Sequence, residues 1–508
     1  MRVRGHGPGA RLPHRTAVAA AVLLTVLLLL MVVRLPWSGD LGMHAAVLER
    51  LRTDLIHPGN PLVDADTASP YYSPWTVALA LVADATGRGT FGVLRLAGLA
   101  GLAVLGTGIA AFVRTFTRAR TAVPLALLCF LLLYGTVPFA WSGVPGLTSL
   151  SLTLAYPSTL ALGLTLHLWA LLRRAVRDGW GLGRFLGLGA LLGLVLLVHQ
   201  FTGAVAVLGA VALLLGSRPW PDRTVRRRLA AGAGAALVLP LCWPYYSFLA
   251  LLDGGRLNAV HRHLYAGLPT RFGLLAVGAV ALGMRWRRDH RDPLVLMFVL
   301  GSAVFAAGGL GGHYAWGRVL PAVLIPPQIA LAAEAAGALE EPRTTAGARL
   351  RRAVPVVTAV ALAAGAWGQA GALTYVLHRQ AIPPGLRHAR VIALWPDFGW
   401  AARRVPRGAT VLTADYYALR SLPAYGPYTV APAYPDLFLP DEERRHRAVR
   451  RYFAPTTSRA ERLGILKEYG VRWVLQKNDG TGPAPGDPAL RPVAQGPRGL
   501  TLMEVVAR

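Results

Sequence analysis

The chain has 508 residues, 54% hydrophobic and 15% charged, with a formal net charge of +28. A soluble protein of this length would carry about 25% charged residues, so a wholly soluble globular enzyme is excluded. A charge this basic would point to nucleic acid if the arginines shared one surface, but they are dispersed along the chain.

Apolar segments run at about 16–35, 91–113, 121–137, 155–172, 185–198, 202–216, 229–250, 268–283, 293–309, 316–334 and 353–376. Lys and Arg collect in alternate gaps: the amino-terminal tail and the gaps on its side hold 24, and the opposite gaps within the membrane region hold 5. Basic residues near span ends stay in the cytoplasm. The sequence therefore predicts a polytopic α-helical membrane protein of about 11 transmembrane helices, multi-pass in the plasma membrane, with its amino terminus cytoplasmic. The basicity is topology first and attraction to anionic inner-leaflet membrane lipid second; no nucleic-acid partner is expected.

The expected organisation is a basic cytoplasmic tail at 1–15, a membrane domain at 16–376 with a first outer loop at 36–90, and a small carboxyl-terminal α/β extracytoplasmic domain at 377–508. The first apolar run, about 18 residues long with no small-residue cleavage pattern after it, reads as a retained signal anchor. In the loop that follows, Leu41, His44, Leu48, Leu51 and Leu55 recur at helical spacing, which predicts an amphipathic helix along the outer interface. Pro58, Pro61, Pro70 and Pro74 break the chain after it, and 74–85 reads as a second short interfacial helix.

Residues 185–217 are apolar apart from His199, Gln200 and small hydroxyls. As one helix they would span about 50 Å against a hydrocarbon core of about 30 Å, and Arg184 and Arg218 both ask for the cytoplasmic side. A tight hairpin turning at His199 and Gln200 on the outer face resolves both demands. Beyond Tyr375 the composition becomes that of a soluble domain: a strand at 410–413 entering a short helix, helices at 441–453 and 458–469, and a second strand at 470–476. Cys129 and Cys242 lie in predicted spans, so the outer domain has no disulfide framework.

There is no phosphate-cradling glycine loop ending in Lys and Ser/Thr, no His-Glu-x-x-His, no Gly-x-Ser-x-Gly and no Cys-x-x-Cys, which disfavours ATP-driven transport and the common hydrolase sites. The polar residues that remain gather at outer span ends: Asp40, His44, Tyr71, Tyr72, Arg95, His199, Gln200, Arg256, His261, His263, His313, Tyr314 and Arg318. Asp40 directly follows the first span, and a helix from Leu41 puts His44 one turn on. Asp40 reads either as a general base at the membrane surface, with His44 tuning it or touching substrate, or as the N-cap of that helix. Arg318 reads either as a bidentate lipid-phosphate contact or as an arginine snorkelling beside Tyr314 and Trp316; Arg95 carries the same two readings. His199, His261, His263, His313, Tyr314, Tyr71 and Tyr72 are further candidate substrate or lipid-phosphate contacts. His261-x-His263 lacks an evident third metal ligand, and Asp64-x-Asp66 reads as a solvated turn.

The stretches "WSGDLGMHAAVLERL" at 37–51, "AYPSTLALGL" at 155–164, "LLVHQFTGAVAV" at 196–207, "GRVLPAVLI" at 317–325 and "RGATVLTADY" through "YGVRWVLQ" together resemble the GT-C superfamily of polytopic membrane glycosyltransferases. They are especially similar to the actinobacterial, polyprenyl-phosphate-sugar-dependent members with a carboxyl-terminal outer domain. The resemblance implies an inverting transfer of a sugar from a polyprenyl-phosphate donor to a cell-envelope glycan or glycolipid acceptor on the outer face. It implies Asp40 as the acceptor-activating base and Arg318 as a donor-phosphate contact. Many members carry two adjacent acidic residues or Asp-x-Asp at the first position, whereas Asp40 stands between Gly39 and Leu41. No cofactor is certain, and a divalent metal ion stays open. A transporter or flippase of a lipid-linked or polar substrate, and a non-catalytic membrane scaffold of the same architecture, are the alternative readings.

Overall fold

The computed structural model describes residues 8–252, 258–340, 348–480, 482–483 and 486–506. Residues 1–7 of the expected tail, and Arg256, lie outside them. Over the described residues the chain forms two compact units: Met1–Pro36 with Arg95–Cys242 and Leu257–Ala393, and Trp37–Leu94 with Trp243–Arg256 and Leu394–Arg508.

From the amino end, α1 (Pro8–Arg34), α2 (Leu41–Thr53), α3 (Pro74–Thr86), α4 (Thr90–Val113), α5 (Ala122–Leu132), α6 (Leu147–Thr153), α7 (Pro157–Arg177), α8 (Leu182–Val198), α9 (Gln200–Leu215) and α10 (Arg223–Leu241) lead to α11 (Asn258–His261), α12 (Leu268–Phe272), α13 (Leu275–Arg288), α14 (Pro293–Leu310), α15 (Leu320–Glu340) and α16 (Ala348–Gly368). Each apolar segment read from the sequence contains helix. Among the described residues, Pro13–Arg34, Thr90–Val113, Pro293–Leu310 and Tyr314–Glu340 are long and apolar enough to cross a membrane, and α5, α8 and α9 are shorter apolar helices. Two segments are less regular than expected. Helix α10 stops at Leu241 beside Pro240 and Pro244, and after Gly368 the chain tightens into a 3₁₀ turn at Ala370–Tyr375.

Local chemistry explains the breaks. Helix α1 ends where Leu35 turns to φ 50° and Pro36, lacking an N–H, cannot continue the ladder. Between α8 and α9 a single residue, His199, is extended at φ −159° and ψ 100°, leaving two legs of about 25 Å each. Two buried polar side chains of the first unit find internal partners, as an apolar surrounding favours. The buried Trp169 indole donates to the Ala206 carbonyl at 2.9 Å, tying α7 to α9. Gln369 donates to the Leu131 carbonyl at 2.6 Å and accepts the Thr148 N–H at 2.9 Å.

The second unit contains α17 (Gly399–Ala402), β1 (Thr410–Thr413), α18 (Tyr416–Ser421), β2 (Tyr428–Thr429), α19 (Glu442–Phe453), α20 (Arg459–Glu468), β3 (Val471–Lys477), β4 (Leu490–Gln495) and β5 (Leu500–Val505). The sheet runs β2-β1-β3-β5-β4; β1 is parallel to β2 and β3, and β5 is antiparallel to β3 and β4. Alternation along the strands sends Leu412, Val474 and Met503 to one face with Val449, Tyr452 and Ile465. Val411, Trp473, Leu475 and Leu502 go to the other with Phe398, Ala418 and Leu422. The strands at 410–413 and 470–476 and both expected helices are present; β2, β4 and β5 are additional. Beside the edge strand, Val63 of the first loop bridges Thr429.

Helix α2 differs from its expected place along an interface: every residue from Leu41 to Leu51 is buried. Its polar face is occupied by protein. Arg50 donates from Nη1 to the Gly426 carbonyl and from Nη2 to the Pro427 carbonyl, each at 2.7 Å, and lies 3.5 Å over the Tyr428 ring. Burial pushes its pKa below the usual arginine range. Glu49 pairs with Arg407 at 3.0 Å and accepts from the Thr90 hydroxyl. Replacing Arg50 with Leu leaves two buried carbonyls without donors, a cost of about 3 kcal/mol. We expect amide exchange in α2 to accelerate by about two orders of magnitude, with Arg50→Lys intermediate because an ammonium cannot span both carbonyls. Unchanged exchange would show that the guanidinium does not anchor the helix.

Candidate functional site

In the second unit, Gly39 at φ 57° turns the chain after the first helix, a conformation that favours glycine. Asp40 then occupies the N-cap position of α2 with φ −83° and ψ 8°, and its side chain makes no capping hydrogen bond. The Asp40 carbonyl accepts the His44 N–H at 3.0 Å, the first hydrogen bond of the helix. Among the described residues the half-buried carboxylate has no ion pair either. It is thus a carboxyl group at the positive end of a helix dipole that makes no side-chain cap.

His44 is 8% exposed. Burial pushes its imidazole down to about 4, against a smaller upward pull from Asp40, so at neutral pH it brings no positive charge to the carboxylate. Its ring meets Tyr71 edge-on at 6.3 Å. Tyr72 lies in the interior, its hydroxyl donating to the Gly59 carbonyl at 2.8 Å, and burial raises its phenol pKa. Gly42, the second residue of α2, packs so closely that a Cβ would run into the Arg420 carbonyl.

In the first unit, Arg318 and His199 come together from opposite ends of the segment. Nη2 of Arg318 donates to the His199 Nε2 at 3.1 Å, since a guanidinium has no lone pair to accept with. That leaves the His199 Nδ1–H to donate to the Thr202 hydroxyl at 2.7 Å, at the start of α9. The Ser142 hydroxyl is 3.5 Å from Nε2. A guanidinium placed in this way is a cationic donor suited to an oxygen anion. The guanidinium is steadied by rings, 4.4 Å over Phe201 and 5.8 Å from Trp141. His261 is buried against Phe201 and Trp141. His263 stacks at 6.2 Å on Trp141 and contacts Arg271 at 3.0 Å; burial, then Arg271, pushes its pKa down.

The remaining candidates are dispersed. Arg95 donates to the Val33 carbonyl at 2.8 Å, fastening the end of α1. His313 is exposed and stacked on Trp316, and Tyr314 packs edge-on against Tyr265. Asp64 and Asp66 are both exposed. Among the described residues no three His, Cys, Asp or Glu side chains are grouped to hold a metal ion, so no ligand set is assigned. Trp141 and Phe201, which hold Arg318, carried no signal distinguishing them from lipid-facing aromatics.

No protein-family model and no curated protein matches the chain. Solved structures do. The arabinofuranosyltransferase AftD from mycobacteria superposes with a TM-score of 0.57 at 18% identity, over 96% of this chain and 40% of that one. ArnT from Cupriavidus metallidurans in the apo state superposes with 0.54 at 17%, over 96% of this chain and 98% of that one; the same protein bound to undecaprenyl phosphate gives 0.52 at 17%, over 97% and 98%. These neighbours are GT-C superfamily glycosyltransferases. The chain has the GT-C fold. It spans about two fifths of the length of AftD and nearly all of ArnT, and the GT-C likeness is one of architecture at these identities.

The buried His44 has a pH signature. Its folded pKa is about 4 against an ordinary 6.5, so between those values the unfolded chain binds a proton that the folded chain does not. Stability from this site is fully present above about 6.5 and declines as pH falls toward 4, by up to roughly 3 kcal/mol at the acid end. We expect the thermal midpoint of the native protein to drop across this window relative to His44→Gln; parallel curves would mean that the imidazole is solvated.

Proposed function

We propose that the chain is an inverting glycosyltransferase that moves a sugar from a polyprenyl-phosphate donor to a cell-envelope glycan or glycolipid acceptor on the outer face of the membrane. The observation that carries this reading is the fold match to ArnT over nearly the full length of both chains, ArnT having been seen bound to undecaprenyl phosphate. The arginine asymmetry supports a cytoplasmic amino terminus and an outer second unit.

The residues fit the chemistry. The Asp40 carboxylate takes the proton of the acceptor hydroxyl as that oxygen attacks the anomeric carbon. The bond from that carbon to the phosphate oxygen breaks, and its electron pair leaves on the phosphate. One base and one displacement invert the anomeric centre. Arg318, oriented by its hydrogen bond to His199, supplies the donor for the charge that grows on the leaving phosphate. Asp40 and the Arg318–His199 pair belong to different units, so each role can be removed separately.

Membranes carrying Asp40→Asn are expected to retain the protein and lose transfer from a radiolabelled polyprenyl-phosphate sugar by at least about a hundredfold; full transfer would refute the base assignment. Arg318→Gln is expected to cut kcat/KM for the donor by about a hundredfold or more, the scale of losing one donor to a developing oxyanion. His199→Gln, whose amide oxygen still accepts from Arg318, should lose less than His199→Ala. Equal donor kinetics in all three proteins would remove the phosphate role from this pair.

A further inference from the structure

Around the segment bearing Asp40, the second unit gathers rings and guanidinium groups that the proposed reaction does not use, of which Tyr417 also packs against the core. The Trp395 N–H donates to the Trp37 carbonyl at 2.9 Å, the Tyr434 hydroxyl donates to the Gly39 carbonyl at 3.3 Å, and the Arg420 backbone abuts Gly42. Three contacts thus fix this patch to residues 37–42. Within it, Trp395 meets Tyr416 at 5.9 Å and Tyr417 at 5.5 Å, each edge-on, and Tyr416 is 54% exposed.

Arg420 is held by rings, 3.7 Å over Tyr416 and 4.6 Å over Tyr434, with a hydrogen bond of 3.3 Å to the Tyr416 carbonyl. Among the described residues it has no carboxylate partner. Arg498 lies 4.7 Å over Tyr417. An apolar patch would bury such rings among aliphatics; in this one guanidinium groups flank them, so the surface offers flat apolar faces beside planar N–H forks. A saccharide has the complementary make-up, with C–H faces that stack on rings and a rim of hydroxyls that accept from arginine.

We propose that Trp395, Tyr416, Tyr434 and Arg420 form the binding surface for the acceptor glycan, presenting its terminal hydroxyl to Asp40. The inference rests on the reading of Asp40 as the base. Tyr416 and Trp395 stack the sugar rings, and Arg420, pre-oriented between two tyrosines, donates to ring hydroxyls. The soluble unit is then a substrate-recognising part of the enzyme and sets which glycan is extended.

The test uses the full-length protein in nanodiscs without donor, titrated calorimetrically with linear arabinan, galactan and mannan pentasaccharides. Transfer from a radiolabelled polyprenyl-phosphate sugar is measured on the same preparation. We expect at least one pentasaccharide to bind. Tyr416→Ala and Arg420→Gln should each weaken it about tenfold, and Tyr416→Phe, which keeps the ring, should stay within about threefold. In turnover the same variants should raise the acceptor KM with little change in kcat. If no pentasaccharide binds while transfer proceeds, or if the variants bind as the native protein does, the acceptor surface is refuted and the glycosyltransferase reading stands. Binding without transfer from any lipid-phosphate donor refutes the enzyme reading instead.

Discussion

Arg50 cannot enter the interior of the second unit unless its N–H groups find acceptors, because an uncompensated buried cation costs several kcal/mol. The carbonyls of Gly426 and Pro427 and the face of Tyr428 meet that demand. In doing so they bind the loop after the first helix to the sheet-bearing part of the chain. Glu49 adds a second tie through Arg407. Asp40 stands ten residues before Arg50 on the same helix, about 15 Å along its axis, so anchoring one end of α2 fixes the frame in which the carboxylate is presented. A carboxylate that capped its helix or paired with an arginine would be spent on structure; among the described residues this one does neither.

In the proposed reading the second unit has a purpose beyond support. The backbone hydrogen bond from Trp395 to Trp37 and the one from the Tyr434 hydroxyl to Gly39 tie that patch to the residues flanking Asp40. A general base is effective only when the hydroxyl it serves is held at hydrogen-bonding distance. The proposed recognition surface, built on the unit that carries Asp40, would achieve this without moving parts. On the first unit, His199 breaks the helix between α8 and α9 and holds Thr202 on one ring nitrogen and Arg318 on the other.

Much of this architecture is legible in sequence because its signals are local. Apolar runs and arginine placement yield the helical segments, and the demand that Arg184 and Arg218 share a side places the break at His199. Alternation yields β1 and β3. The burial of α2 is not legible, because Arg50 meets acceptors 376 residues away, and a charged face reads the same whether it meets water or carbonyls. Strand β4 carries Pro492 and a mostly exposed edge, which hides it from any apolar pattern. At the site, Asp40 and Arg318 stand out as charges at span ends. That Arg318 meets His199, 119 residues apart, and that Arg95 and Tyr72 are tied into structure, follows only from packing.

A single carboxylate acting as base requires a single displacement, and a single displacement has a stereochemical consequence that no binding measurement shares. The product made by the purified protein from a polyprenyl-phosphate sugar of known anomeric configuration can be read by its anomeric proton coupling and carbon shift in NMR. The expected result is a linkage inverted relative to the donor. A retained configuration would require a second nucleophile and would contradict the role of Asp40 as general base.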